Sequence, residues 1–432
     1  MLTGRRIAVV LLACMSLAGV RSARAAEADP SFPAAIHTRA SRSYWTERTT
    51  PPPLTRKMLI ESIEAARVYF LNQQLPEGNF TYALDVIENA PVKDDNQVRQ
   101  AGALWGLSSL GRDRHTQSTR RAVVRGLDFF FRCSQPLKLG RIAPVYPGAD
   151  EISTGSVALV SLAIVELCRG QDDYLTPVGR GLYETWLDTY LQYLQHLELE
   201  TGGWGARYLV TANERDSAAS PYFDGETLLL YCKAARYMGR KELIPKIERT
   251  ALRLAERYTV TAWRSDPMSN DTKGFCQWGC LAFAEHVEAG WQNADVVGDA
   301  AMALSWWLID RHEIESRRGN TAYAVEGLLG GYRVARKRGD IAAMQALRGI
   351  CERLLSRLIS WQIGGPQQDR NDFLASNVID PRATGGILSA EDTGFVRIDV
   401  VQHQAHAMLM ALELLFPETP GPVPTVPAPP AP

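Results

Sequence analysis

Apolar positions recur at three- and four-residue spacings along most of residues 54–416, and the segments that carry them are of two kinds. One kind has a single apolar stripe and a wet, charged face. It covers residues 54–74, 116–133, 175–198, 241–258, 294–312 and 340–362. The run from Lys241 to Arg257 is typical, with Leu243, Ile244, Ile247, Ala251, Leu254 and Ala255 on one side. The other kind is apolar nearly all round and rich in Ala and Gly. It covers residues 95–110, 153–169, 222–238, 275–288, 320–336 and 399–415. A helix without a wet face is buried on every side.

The two kinds alternate, six times over, at spacings of about 45 to 65 residues between pairs. Such an array has two ways to end. An open superhelix leaves all-apolar helices exposed at its termini. A closed ring leaves none, so the pattern predicts an all-α (α/α)6 toroid of six helical hairpins, with the apolar helices as its inner ring. Short extended pieces precede the inner helices: residues 79–92, 139–146, 202–208 and the loop 363–397. They are expected to form short β-hairpins on one face, above the inner-helix N-termini.

The flanks differ from this core. Arg5 and Arg6, an apolar run from Ile7 to Val20, and Ala23-Arg24-Ala25 read as a signal peptide over residues 1–25. Leu11-Leu12-Ala13-Cys14 offers a second processing route, lipidation at Cys14. Residues 26–52 read as a linker or arm, 53–416 as the toroid domain, and the Pro-rich stretch 417–432 as a disordered tail. The reading is therefore of an exported chain, periplasmic or secreted, without a transmembrane helix in its mature part. Envelope-complex partners are compatible with it.

Charge narrows the partners. Forty-seven basic and 48 acidic residues leave a formal net charge of −1 in 432 residues, with no basic footprint for nucleic acid. Cys133, Cys168, Cys232, Cys276, Cys280 and Cys351 are scattered through apolar patterns, which suits buried free thiols better than a disulfide framework.

Candidate chemistry gathers where the apolar helices begin. Asp94, Ser153 and Asn320 sit where N-caps belong. Residues a turn further in cannot be caps: Arg99, Gln100, Glu226, Glu326, His403 and His406 interrupt otherwise apolar helices. Tyr222 and Glu226 are four apart, Tyr323 and Glu326 three, and the pairs Asp95 with Arg99, Asp399 with His403, and Gln402 with His406 are four apart. Each pair shares a helical face. Asp95, Glu226, Glu326 and His403 are the catalytic candidates. Arg99, Tyr222, Asp224, Trp278, Tyr323, Gln402 and His406 are candidate substrate contacts. Trp45, Trp204, Trp278 and Trp361 are placed near the mouth, as sugar-stacking or packing groups. Opposed carboxylates serve glycosidic hydrolysis. Tyr, His and Arg together serve proton abstraction beside a uronate carboxylate. No cofactor or metal is required by either set.

Through its alternating hairpins and polar inner-helix starts, the chain resembles the six-hairpin glycosidase-like superfamily over residues 54–416. That resemblance implies an exported enzyme acting on a poly- or oligosaccharide in the central cavity, first as a glycoside hydrolase. A polysaccharide lyase or uronyl C5-epimerase is the alternative. A non-catalytic glycan-binding or scaffold protein of the cell envelope is a further one. Two other toroids are similar in part. Gly202-Gly203-Trp204-Gly205 resembles the turns of terpene cyclases, although their Asp-x-Asp-Asp motif is absent. Cys276 and Cys280, with His403 or His406, resemble the zinc ligands of lanthionine cyclases.

Overall fold

The computed structural model describes residues 50–138, 140–170 and 175–418. The expectations for the signal peptide, Cys14, Trp45 and nearly all of the Pro-rich tail fall outside them. Twelve long helices run in the expected order. The outer set is α1 (Arg56–Gln73), α3 (Gln117–Cys133), α5 (Pro177–His196), α7 (Ile244–Ala255), α9 (Ala294–Asp310) and α11 (Ile341–Ile359). The inner set is α2 (Gln97–Asp113), α4 (Thr154–Cys168), α6 (Pro221–Tyr237), α8 (Asn270–Ala289), α10 (Ala322–Arg338) and α12 (Ile398–Leu414). Each inner helix packs on the next, and α12 packs on α2, so the ring is closed. The inner helices are buried almost throughout; every residue of α4 is buried. The outer helices keep one wet face, as in α7, where Ile247, Ala251, Leu254 and Ala255 form the buried stripe.

Close packing of six helices requires small residues at the crossings. Gly106 of α2 lies under Gln402 of α12, where a Cβ would come within 2.6 Å of Gln402 Cγ. Gly225 of α6 admits Trp278 in the same way. Here the glycines trade helix propensity for approach distance.

The extended pieces form three small sheets. β1 (Ala83–Asp85) pairs with β2 (Ala90–Pro91) and with β8 (Phe395–Arg397). This sheet joins the first hairpin to the last and sets Ala83 opposite Arg397. β3 (Ser134–Pro136) pairs with β4 (Ile142–Pro144), and β5 (Glu151–Ser153), β6 (Arg207–Leu209) and β7 (Glu214–Arg215) form the third sheet. β5 and β8 run directly into α4 and α12, as expected for pieces above the inner-helix N-termini.

Several local expectations need correction. Asn96 caps α2 by accepting from the Val98 and Arg99 amides, whereas Asp94 accepts only from the Asp95 amide. Ser153 stands at the N-cap of α4 but its side chain makes no cap bond. Asn320 does accept from the Ala322 amide, 2.9 Å away. The outer segment expected to end at residue 258 runs on to Ser265 through a wide turn, Glu256–Thr261. Trp204 and Trp361 are core residues, each 1% exposed, so neither is at a mouth. Cys168, Cys232, Cys276, Cys280 and Cys351 are buried free thiols, and Cys133 is half-buried. No described helix is long and apolar enough to cross a membrane.

Candidate active site

Glu326 lies in the second turn of α10 with no exposed surface. Its Oε2 is 2.8 Å from His403 Nδ1 and accepts from Gln277 Nε2 at 2.5 Å. Its Oε1 is 2.5 Å from His406 Nδ1. One carboxylate thus orients two imidazoles of α12 and an amide of α8. Burial alone would raise the Glu326 carboxyl, but the attraction of His403 and the imidazole hydrogen bonds hold it below the usual range. Burial likewise opposes charge on His403, yet Glu326 and Asp399 draw it above its ordinary value. A carboxylate can only accept, so each Nδ1 donates to it and each Nε2 is left to face elsewhere. The Nε2 atoms are the free proton-handling positions.

Aromatic rings wall this cluster. Trp278 lies 5.9 Å from His403 and 5.3 Å from Trp105, and Trp105 lies 4.4 Å from His406. Trp105 and His406 also cap a cavity of about 130 Å³ that extends toward the C-terminal ends of the inner helices. That cavity is lined by a different group of charges, among them Arg112, Lys233, Glu285 and Arg333.

Glu226 of α6 presents a second kind of carboxyl. It is 3% exposed, and its Oε2 is sealed from solvent without a hydrogen-bond partner. Gly155 of α4 leaves the room it occupies, since a Cβ there would collide with Glu226 and Phe223. Burial pushes this carboxyl well above the usual range. Burial thus favours the protonated form of Glu226, whereas the imidazoles favour the ionised form of Glu326.

A third group centres on Tyr323. Its hydroxyl is 2.7 Å from His312 Nε2. Arg317 Nη2 stands 3.1 Å from His312 Nδ1, and a guanidinium can only donate. His312 Nδ1 is then the acceptor, Nε2 carries the hydrogen, and Tyr323 receives it. Burial, reinforced by Arg317 and Lys273, lowers His312 to about 4, which keeps the ring neutral. The ring is also stacked on Trp307 at 5.4 Å. The Tyr323 hydroxyl hydrogen is left free to donate. Burial raises its pKa, so it stays a phenol.

Arg99 stands at the rim. It donates to the Tyr82 hydroxyl and lies 3.3 Å from Asp399. Arg397 binds the same carboxylate through two bonds of 3.0 and 2.9 Å. Tyr222, beside Glu226 on α6, is 48% exposed at the same end. Gln402 is buried against α2, with its Nε2 unpartnered.

Two residues of the sequence-derived set have other partners. Asp95 is exposed and accepts from the Asn96 amide, Gln100 Nε2 and the Tyr146 hydroxyl, none of which belongs to the Glu326 cluster. Asp224 is fully buried and accepts from the Trp204 amide, the Tyr258 hydroxyl and Arg257. Its carboxylate holds the loop at Gly203, whose φ of +82° and lack of a Cβ allow the close approach. Burial raises Asp224 to about 6 despite those partners. Gln277, His312, Trp105 and Arg397 were not singled out from the sequence. Gln277 was visible as a polar residue in an apolar helix start. The other three carry no local signal. No group of three or more His, Cys, Asp or Glu side chains among the described residues is placed to hold a metal ion. Cys276 Sγ points to the Lys273 carbonyl and Cys280 Sγ to the Ala301 carbonyl.

No protein-family model matches the chain, and no curated protein sequence does. Solved structures do. A D-mannose isomerase superposes with a TM-score of 0.57 at 12% identity, covering 86% of this chain and all of the other. A sugar epimerase from a ruminal bacterium gives 0.55 at 10%, covering 83% and 98%. A family 76 glycoside hydrolase (mannosidase) from Bacteroides thetaiotaomicron gives 0.54 at 13%, covering 82% and 98%. The chain has the fold of these six-hairpin toroids. At such identities the likeness is one of fold, and activity has to be argued from the site.

Proposed function

We propose that this is an exported carbohydrate-active enzyme that moves a proton on a sugar, as an isomerase or epimerase does. The observation that carries the reading is the Glu326 carboxylate shared by His403 and His406. A carboxylate that fixes the Nδ1–H tautomer presents Nε2 as a general base, an arrangement suited to removing a proton beside a carbonyl. In this scheme His403, the more open of the two rings, takes the proton from carbon. The electron pair moves into an enediolate, and the proton returns to the neighbouring carbon or to the opposite face. The Tyr323 hydroxyl supplies a donor for the developing oxyanion. Trp278 packs beside the reacting sugar. Solved isomerase and epimerase neighbours support the reading at the level of fold. Export rests on the character of residues 1–25.

Hydrolysis is the second reading, and Glu226 is the observation that favours it. A carboxyl whose protonated form is favoured by burial suits the role of a glycosidase general acid. Glu326 fits the partner role less well, because both of its oxygens are already occupied.

Incubation with reducing sugars in heavy water separates the readings. Deuterium entering a C–H position, lost in His403→Asn, is the expected result. Shortened oligosaccharides without exchange would replace the isomerase reading with hydrolysis. A glycan-binding protein would do neither.

A further inference from the structure

Positive side chains at this end of the ring stand where helix electrostatics disfavours them. Helix N-termini carry partial positive charge and attract acids. Here Arg99 is the third residue of α2, whose first turn contains no acid. Arg397 occupies the N-cap position of α12, Lys273 is the fourth residue of α8, and Arg317 comes five residues before α10. Of these, Arg99 and Arg397 share one carboxylate, Asp399, at 3.3 and 2.9 Å. Lys273 and Arg317 have no carboxylate within ion-pair distance among the described residues, although Arg317 is hydrogen-bonded to His312. Asp271 in the first turn of α8 lines a separate depression with Arg257 and Tyr258.

The cations are also close to the chemistry. Asp399 precedes His403 by one helical turn, and β8 pairing with β1 brings Arg397 beside the segment that carries Tyr82. Arg99 spends one N–H group on Tyr82 and faces Asp399 with its Nε. Arg397 uses Nε and Nη2 on Asp399. The remaining guanidinium donors of both are uncommitted. A fork of this kind binds planar or tetrahedral oxyanions with two parallel bonds.

We infer that the substrate is an acidic sugar, whose anionic group binds between Arg99 and Arg397 while its carbonyl end reaches His403. The inference rests on the site proposed above and adds the substrate class. Two guanidiniums thus meet one carboxylate, and a second anion at the rim would balance the charge that Asp399 leaves over.

The test compares glucose, glucuronate and glucose 6-phosphate, with the galactose and mannose series run in parallel. Binding to the purified mature protein is read by tryptophan fluorescence, and turnover by deuterium uptake. The expected result is a preference of tenfold or more for an acidic member over its neutral counterpart, about what one hydrogen bond to a charged group supplies. That preference should shrink as salt rises. Whether the carboxylate or the phosphate wins identifies the anion. In Arg397→Gln the acidic-to-neutral ratio should fall toward one, while Arg336→Gln at the far end leaves it unchanged. Equal or better binding of the neutral sugar overturns the acidic-substrate inference and leaves the proton-transfer reading standing. Absence of binding and exchange with every sugar overturns both.

Discussion

The two ends of the inner ring carry similar residues in different arrangements. At the C-terminal end, Glu166 of α4 meets Arg112, Arg169 and Lys233, with Arg112 at 2.7 Å and Arg169 at 3.1 Å. Glu285 of α8 meets Arg236 and Arg333, and Glu288 meets both of the same guanidiniums. Each of these three carboxylates has more than one cation, and the cations sit where the helix dipoles favour them. Against burial, which would raise it, the neighbouring Arg333, Lys233 and Arg236 hold Glu285 at about 2. At the N-terminal end the carboxyls are unlike one another. One is sealed without a partner, one is held between imidazoles, and one is shared by two half-buried arginines. Saturated pairing marks a framework. Uneven pairing marks a site that has stability to spare for chemistry.

Breaking the framework should have the largest effect on stability. Glu285→Ala leaves Arg333 and Arg236 without their buried partner and should cost about 3–5 kcal/mol. Urea unfolding measures it. A loss below 1 kcal/mol would remove the distinction between the two ends. Next comes the Tyr323 group. His312→Phe keeps the stacking on Trp307 but removes the donor that sets the hydroxyl, and should lower kcat by about tenfold. Tyr323→Phe should do the same without a further loss in the double variant. Additive losses would show that His312 does not act through Tyr323.

Glu226 gives a prediction in pH. Its folded-state pKa is raised, so its contribution to stability is present in full below the unfolded value near 4.5 and is lost as pH rises through the folded one. Glu226→Gln should therefore flatten the decline of Tm between pH 5 and the alkaline side. An unchanged Tm profile would mean that Glu226 has a partner in solution. His403 has a raised pKa as well, so its share fades as pH climbs past about 6.5 and through the folded value. Glu326, whose pKa is lowered, contributes above about 4.5 and loses its share as pH falls through the folded value. The pair is strongest between those limits. The smallest effect belongs to Arg336→Gln. This side chain is half exposed, reaches Glu288 only at 3.9 Å, and should change stability by less than about 1 kcal/mol.

The ring itself was legible because burial writes a period into the sequence. An all-apolar helix such as Thr154–Cys168 has no alternative but an interior place. The site was legible only in part. Glu326, His403 and His406 stood out as polar interruptions of apolar helices, and the structure brings them together. Asp95 and Asp224 stood out as acids at inner-helix starts, yet they hold Tyr146 and the Gly203 loop, because a carboxylate needed by a turn looks the same in sequence as one needed by a substrate. His312 lies outside the inner-helix starts, and Arg397 is the N-cap residue just before one. Their roles depend on a stacking contact and on a strand pairing between residues 83 and 397, which helical spacing does not encode. The first residues of α8 were missed because its opening turn, Asn270-Asp271-Thr272-Lys273-Gly274, is polar.

The most direct test of the division between the two ends is turnover of Glu326→Gln beside Glu285→Gln, measured as deuterium exchange per folded molecule under conditions where both are native. The account predicts a loss of about a thousandfold in Glu326→Gln, in the range for a removed acid–base element, and wild-type turnover in Glu285→Gln. Full activity in Glu326→Gln, or loss confined to Glu285→Gln, would place the chemistry at the opposite end of the ring and contradict it.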